Sequence, residues 1–132
     1  MVFVRNKRFL SQSEVSPLKA RNTLKQNSDF RRLYAKGQSA VTPFLVLYCR
    51  RNRLGVNRTG YTVSTKLGGA VQRNRIRRRL REVVRLNAPA LRSGWDLVLV
   101  ARSRCLDAPW DKLNAAYLQA CGKLGLLRED PE

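Results

Sequence analysis

The sequence predicts a single domain of the α+β class, in which helices pack against a β-sheet. Its 132 residues fall within the usual length of one domain, and 43% of them are hydrophobic, which is enough for one modest core. Two apolar runs typical of strands, at 44–49 and 95–101, and a helical apolar period over 72–86 indicate both kinds of secondary structure. The patterns therefore favour a mixed fold.

The first predicted element is a short helix over 28–36. An Asn-Ser-Asp run supplies capping side chains at its start, and Gly37 is a typical residue after a helix end. Phe30, Leu33 and Tyr34 recur at helical spacing, so they share one face.

Two strands are predicted next, at 44–49 and 58–64. In the first, Phe44, Val46 and Tyr48 lie on one side, and Leu45, Leu47 and Cys49 lie on the other. In the second, Tyr61 and Val63 share a face. The side-chain period of two is typical of a strand with two different faces.

The rest of the chain predicts a helix, a strand and a second helix. The helix over 72–86 carries an apolar stripe of Ile76, Leu80, Val83 and Val84. The strand at 95–101 is the most apolar and is long enough to be central. A final helix starts between Asp107 and Asp111, with a buried stripe of Leu113, Ala116, Tyr117, Ala120 and Leu124.

The chain divides into three parts by composition. Residues 1–22 show no sustained period and predict a flexible basic arm, with a short organelle transit peptide as the alternative. Residues 23–126 form the predicted domain, and 127–132 form a disordered tail. We find no secretory signal and no apolar stretch long enough to cross a membrane, so a cytoplasmic protein is expected.

The positive charge is concentrated in the middle of the chain. The net charge is +18, and residues 19–104 carry 21 basic residues against three acidic ones. Arginines outnumber lysines 20 to 7, and the guanidinium fork suits phosphates and base edges. The charge therefore predicts nucleic acid as the partner, rather than a membrane surface.

Several kinds of protein catalysis are disfavoured by the residue types. The chain has no histidine, which excludes Ser-His-Asp and Cys-His systems and histidine zinc sites. Cys49, Cys105 and Cys121 show no metal-ligand spacing, so they are interpreted as small core residues rather than reactive groups. The few, widely separated acids of the basic middle segment do not resemble a metal-dependent nuclease site.

The strongest functional signal is the run RNRIRRRLREVVR at 73–85, with seven arginines and one acid. Opposite the apolar stripe lie Asn74, Arg77, Arg78, Arg81 and Arg85, and Arg75 and Arg79 flank the stripe. A helix that is merely solvated would mix charge signs at i, i+4. Like charges along a whole face favour a bound polyanion instead.

Two weaker signals leave alternatives open. Phe30, Tyr34, Phe44 and Tyr48 could line a groove on which single-stranded RNA bases stack, but the same spacings are typical of a core. The Gly68-Gly69 pair favours a turn over a phosphate cradle, because no nucleotide-binding motif surrounds it.

The run TVSTKLGGAVQRNRIRRRLREVVR resembles the signature of the protein component of bacterial ribonuclease P, approximately [VI]SKKxGNAVxRNRxKRxxRE. The resemblance covers about residues 20–124. It includes LKxxxDFxxxYxxG from Leu24 to Gly37, the FLVLY and WDLVLVAR strands, and the final amphipathic helix.

The resemblance implies an α/β sandwich with one four-stranded sheet and a left-handed β-α-β crossover around the arginine-rich helix, similar to a ribosomal-protein domain. It implies an endoribonuclease holoenzyme that removes the 5′ leader of precursor tRNA. The catalytic RNA subunit would carry the catalytic centre and Mg²⁺, with no metal bound by the protein alone. The expected partners are that RNA and the precursor tRNA, with no membrane and no obligate protein partner.

The resemblance also implies roles for individual residues. The basic motif is matched by Arg73, Asn74, Arg75, Arg78 and Arg81, and Arg77 stands at its lysine position. The leader groove is matched by Phe30, Tyr34, Tyr48 and Lys66, and strand alternation adds Phe44. Thr65 replaces a lysine of the pattern and Gly69 replaces an asparagine, so one charge and one amide are missing near the leader.

Two other classes of protein remain as alternatives. A ribosomal protein or general RNA chaperone would bind RNA without preferring substrates that have a 5′ leader. A self-sufficient protein nuclease would cleave without an RNA subunit.

Overall fold

The computed structural model describes Leu24 and residues 27–128. The helices are α1 (Asn27–Lys36), α2 (Ala70–Asn87) and α3 (Trp110–Lys123), and the strands are β1 (Gln38–Val41), β2 (Leu45–Arg51), β3 (Arg58–Thr62) and β4 (Trp95–Ala101). The sheet has the order β1-β2-β4-β3. The predicted α+β class with a four-stranded sheet is confirmed.

The sheet is mixed, and α2 joins its two parallel strands. β1 pairs with β2 and β2 with β4 in antiparallel fashion, whereas β3 and β4 are parallel neighbours. Because α2 lies between β3 and β4 in the chain, the arginine-rich helix is the crossover of a β-α-β unit. Its left-handed sense stays a prediction of the resemblance.

Most of the predicted elements are confirmed within two or three residues, and one strand is missing from the prediction. The four-residue strand β1 has only Ala40 buried, so its sequence lacks a clear apolar alternation. The residue that follows α1 must be glycine for a steric reason. A Cβ at Gly37 would lie 2.6 Å from the Leu33 carbonyl oxygen and 2.7 Å from that of Cys49.

One face of the sheet is covered by α2 and α3, and we call it the closed face. The inward side chains of β2 and β4 on this face include Leu45, Leu47, Leu97 and Leu99, all buried. They form one cluster with Ile76, Leu80 and Val83 of α2 and with Leu113, Tyr117, Ala120 and Cys121 of α3. The apolar stripes predicted for both helices therefore meet on this face.

On the other face, which we call the open face, the described residues that cover the sheet are α1 and Leu24. Leu33 of α1, Leu24 and Val98 of β4 form a small buried cluster, with Phe30 and Tyr48 packed against it. This cluster of three buried side chains thus belongs to a different core from the one beneath α2. This division follows from the alternation of side chains along the strands.

All three cysteines are buried, as predicted for core residues. Burial raises the pKa of Cys49 and of Cys105 to about 11 and that of Cys121 to about 12. These thiols are therefore protonated at neutral pH, which is the unreactive form.

The pairing of the chain extends two residues beyond the predicted domain end at 126. Leu127 forms a bridge with Leu91, and the Arg128 N–H donates to the Ala90 carbonyl oxygen at 2.8 Å. The predicted tail therefore begins too early. Residues 129–132 and the predicted arm at 1–22 lie outside the described residues.

Candidate nucleic-acid interface

The arginine-rich helix begins at a tight turn. A short 3₁₀ turn at Thr65–Leu67 is capped by Ser64, whose Oγ accepts the Lys66 N–H at 3.1 Å. Gly68 has a φ of 140°, which favours glycine, and Gly69 is the N-cap of α2. The turn interpretation of the glycine pair is confirmed.

Four of the predicted residues surround one depression on the outer face of α2, which we call the arginine groove. It has a volume of about 630 Å³ and is lined by Asn74, Arg77, Arg78 and Arg81. Asn74 Oδ1 accepts from Arg77 Nη1 at 3.3 Å. The helical spacing thus brings three guanidinium groups and one amide together, which suits a chain of phosphates.

The other arginines of the motif have different surroundings. Arg73 Nε donates to the Gly68 carbonyl oxygen at 3.2 Å, which ties the first turn of α2 to the preceding loop. Arg75 is exposed. Arg85 forms an exposed ion pair with Glu82 at 2.5 Å, so its charge is partly offset. The hydrogen bond and charge of Arg85 also lower the pKa of Glu82.

Arg79 has a structural role that the sequence pattern does not reveal. Its Nη1 donates to the carbonyl oxygens of Cys105 and Leu106 at 2.9 and 2.7 Å, and its Nη2 donates to that of Ala108. This one guanidinium therefore fastens α2 to the loop before α3. In the sequence, the position of Arg79 beside the apolar stripe of α2 was the only indication that its side chain lies against the protein.

Each acid of the basic middle segment lies beside an arginine. Asp96 is buried and accepts two hydrogen bonds from Arg58, at 2.9 and 2.7 Å. Asp29 lies 3.7 Å from Arg32, and Glu82 pairs with Arg85. The described residues contain no group of three metal-ligating side chains. No helix among them is long and apolar enough to cross a bilayer.

Three of the predicted groove aromatics meet where α1 crosses the open face. The rings of Tyr34 and Tyr48 lie edge to face, 4.9 Å apart between centroids. The Tyr34 hydroxyl lies 2.8 Å from Thr62 Oγ1 on β3. Phe30 packs over Gly60, where a Cβ would lie 2.7 Å from the ring. Neither Gly60 nor Thr62 was predicted from the sequence, because their partners are distant in the chain.

Beside these rings no helix or strand of the described part of the chain covers a strip of the open face. Val41, Val46, Val100 and Thr62 lie side by side across the four strands. Val41 is 58% exposed, and the other three are half-buried. Tyr34, 41% exposed, forms one wall of this strip. We call Tyr34, Tyr48 and the four strip residues the open groove.

The other two predicted groove residues lie differently. Phe44 packs against the cluster of the closed face, with the Arg104 guanidinium 5.5 Å from its ring centroid. The structure therefore groups it with a different core from Phe30, Tyr34 and Tyr48. Lys66 is exposed in the turn that follows β3, beyond the end of the sheet where Thr62 pairs with Val100.

The similarity to a known protein family extends over most of the chain. The family model for ribonuclease P matches residues 18–125, which includes both the arginine groove and the open groove. The chain belongs to the ribonuclease P protein family. Membership makes it a protein subunit of an endoribonuclease of tRNA processing.

Individual ribonuclease P proteins agree with the assignment. The chain is 42% identical to the ribonuclease P protein component of Natranaerobius thermophilus, over 82% of this chain and 94% of that protein. A solved structure of a Staphylococcus aureus RNase P protein mutant superposes with a TM-score of 0.77 at 28% identity, covering 85% and 95% of the two chains. The RNase P protein of Thermotoga maritima gives 0.68 at 26%, covering 74% and 92%.

Proposed function

We propose that this ribonuclease P protein binds the catalytic RNA of its holoenzyme through the arginine groove and holds the 5′ leader of precursor tRNA in the open groove. The observation that carries the proposal is the convergence of Asn74, Arg77, Arg78 and Arg81 around one depression. Three unpaired charges there repel one another unless a polyanion lies among them. Membership in the family indicates which RNA that is.

The open groove has the chemistry that single-stranded RNA needs. Tyr34 and Tyr48 offer ring edges and faces next to an apolar strip, and bases stack on such rings whatever their sequence. Lys66, just beyond the end of the sheet, supplies a cation for the backbone. Phe30 supports the groove from beneath α1, whereas Phe44 packs with the closed face and is left out of the open groove.

The catalytic groups and the Mg²⁺ ions belong, in this proposal, to the RNA subunit. The three acids of residues 19–104 each lie beside an arginine, and no three metal-ligating side chains meet among the described residues. The protein therefore raises affinity and discrimination while the RNA cuts. We propose cytoplasmic action without an obligate protein partner.

Reconstitution tests the whole proposal. The full chain is combined with its catalytic RNA, and cleavage of a leader-bearing precursor tRNA is measured near physiological salt with Mg²⁺. We expect strong stimulation over the RNA alone and no cleavage by the protein alone. Absence of stimulation, or cleavage by the protein without RNA, contradicts the proposal.

The arginine groove is tested through salt dependence. Arg77→Gln should weaken binding to the catalytic RNA and reduce the slope of log affinity against log salt by about one, which corresponds to one lost phosphate contact. Lys123→Gln on α3 removes the same charge elsewhere and is the matched control. Equal effects of the two variants would show general charge attraction only.

The open groove is tested through the leader. Tyr34→Ala and Tyr48→Ala should each weaken binding of a leader-bearing precursor by about 1–3 kcal/mol, the value of one base stacked on an aromatic ring. Mature tRNA should bind almost unchanged. Equal loss for both substrates would favour a general RNA-binding protein and the structural interpretation of these rings.

A further inference from the structure

A second cavity lies behind the arginine groove, between β3, the C-terminal half of α2 and α3. Its volume is about 520 Å³, and we call it the α2–β3 cavity. Tyr61, Val84 and Leu97 give it apolar and aromatic walls, and the hydroxyl-bearing Thr59 and Tyr117 line it together with Asn57 and Arg85. Such a mixture of apolar walls and few polar groups is typical of a small-ligand site.

One of these hydroxyl groups has no hydrogen bond of normal geometry in the described part of the chain. Tyr117 is completely buried, and its Oη has beside it only the Cys121 thiol, a weak hydrogen-bonding group. A buried hydroxyl without a partner is costly, so proteins rarely keep one without a reason. Because Tyr117 also lines the cavity, a molecule bound there is the external hydrogen-bond partner nearest to this side chain.

Arg81 connects the cavity with the arginine groove. It lines both, and its guanidinium carbon lies 5.6 Å from the centroid of the Tyr61 ring. A phosphate chain that follows Arg77 and Arg78 therefore arrives at the mouth of the cavity. A cation, an aromatic wall and a buried hydroxyl are together the groups that recognise a nucleotide.

We propose that the α2–β3 cavity receives one unpaired nucleotide of the RNA that lies along the arginine groove. Its base lies against Tyr61 and the apolar wall, its edge bonds to the Tyr117 hydroxyl, and Arg81 holds the adjoining phosphate. The proposal rests on the proposed function only in requiring that RNA reaches the arginine groove.

Free mononucleotides test the cavity without any large RNA. The full chain, labelled with ¹⁵N, is titrated separately with AMP, GMP, CMP, UMP and inorganic phosphate, and the amide signals of Thr59 and Leu97 are followed. At least one nucleotide should shift these signals to saturation, and phosphate should not. No shift with any nucleotide, or the same shift with phosphate, overturns the proposal.

Two variants identify the groups involved. Tyr117→Phe should weaken the bound nucleotide about threefold to tenfold, the range of one neutral hydrogen bond. The variant should unfold no more easily than the natural chain, because the hydroxyl loses no more than a weak contact with the Cys121 thiol. Val84→Phe should fill the cavity and abolish binding, and Lys123→Gln should change nothing. A Tyr117→Phe chain that binds as tightly as the natural one overturns the assignment of its hydroxyl.

Binding of the catalytic RNA separates this proposal from the one on which it rests. Tyr117→Phe should lower RNA affinity with an unchanged salt slope, since no phosphate contact is lost, whereas Arg77→Gln should lower the slope. A natural chain that does not bind the RNA refutes the proposed function, and the mononucleotide titration still decides the cavity. If Tyr117→Phe binds the RNA as tightly as the natural chain does, and no mononucleotide shifts the signals of the natural chain, the cavity proposal is refuted and the proposed function is not.

Discussion

The closed and open faces of the sheet are covered to very different extents. On the closed face α2 and α3 bury a continuous cluster of 19 residues within the described chain. On the open face α1 buries a cluster of three, and the strip around Val46 and Val100 stays partly exposed. The large cluster contributes most of the hydrophobic stabilisation, because that term grows with the apolar area removed from water.

The difference separates stability from binding. Where α2 and α3 lie directly on the sheet, its side chains are kept from RNA except at the α2–β3 cavity, whereas the open face leaves rings and strand residues available beside α1. α2 contributes to both stability and binding, since its inner apolar stripe packs in the core of the closed face and its outer side forms the arginine groove. Variants on the two faces should therefore fail in different ways.

The largest effect is expected from the middle of the closed face. Leu80→Ala removes a completely buried side chain of α2 and should lower the free energy of unfolding by about 2–5 kcal/mol. Urea unfolding measures it. Val71→Ala on the exposed side of the same helix should stay within about 0.5 kcal/mol and is the control. If Leu80→Ala lowers the free energy of unfolding by less than about 1 kcal/mol, the closed face does not supply most of the stability and the contrast between the two faces fails.

The next effect concerns how α2 is held on that face. Arg79→Met keeps the apolar stem but removes the donors to three loop carbonyls, and should cost about 1.5–3 kcal/mol in unfolding experiments. Arg78→Met on the exposed groove side should cost almost nothing in stability and should weaken RNA binding instead. Similar stability for the two variants would contradict the fastening role of Arg79.

The open face should not tolerate a larger side chain at Gly60, beneath the Phe30 ring. Gly60→Ala places a Cβ 2.7 Å from the Phe30 ring, so α1 must shift, at a cost of about 1–3 kcal/mol in the free energy of unfolding. In a Phe30→Ala background the same change should cost much less, which a double-mutant cycle measures. Gly122→Ala in α3, where a Cβ would make only an ordinary contact with Leu127 at 3.6 Å, should lose no stability and is the control. Equal costs in both backgrounds would show that Phe30 does not cover β3.

The smallest effect is a dependence of stability on alkaline pH that comes from the closed face. The folded pKa values of Cys49 and Cys105, about 11, and of Cys121, about 12, lie above the ordinary value of 9.0. Folding therefore favours the protonated thiols, so their contribution is complete well below pH 9, begins to fall as the unfolded thiols ionise near pH 9, and is lost as the pH rises toward 11–12.

We expect the free energy of unfolding, measured by chemical denaturation at each pH, to decrease by on the order of 1 kcal/mol between pH 7.5 and 9. The decrease should be smaller in Cys49→Ala. Because the chain has no histidine, the free energy of unfolding should change little between pH 6 and 8. A decrease that starts near pH 7 would contradict this assignment.

Strong local patterns predicted the elements well. The strand at 95–101 was confirmed residue for residue, and the stripes of α2 and α3 were confirmed as buried, because one period of apolar residues specifies one buried face. Strand β1 was missed, since four residues with one buried side chain carry no such pattern. The four residues of the arginine groove were also predicted, because a single helix determines their mutual placement.

Contacts between distant segments could not be predicted in the same way. Alternation along β2 placed Phe44 with Tyr48, but the chain turns just before the strand and Phe44 packs with the closed face. Arg79 matched an RNA-binding run in composition and instead binds a loop about 27 residues away. The same charge can serve a phosphate or a carbonyl, and only its neighbours in space decide which.

By itself the sequence determined the charge, the absence of histidine, the helical and strand periods and the arginine face of α2. These are properties of composition and of spacing within one element. The tertiary structure alone decided that α1 covers only part of one sheet face, that Gly60 admits Phe30, and that Tyr117 is left beside a cavity with a hydroxyl that makes no hydrogen bond of normal geometry. Those outcomes depend on how far apart two packed elements lie, a distance that the local sequence of neither element encodes.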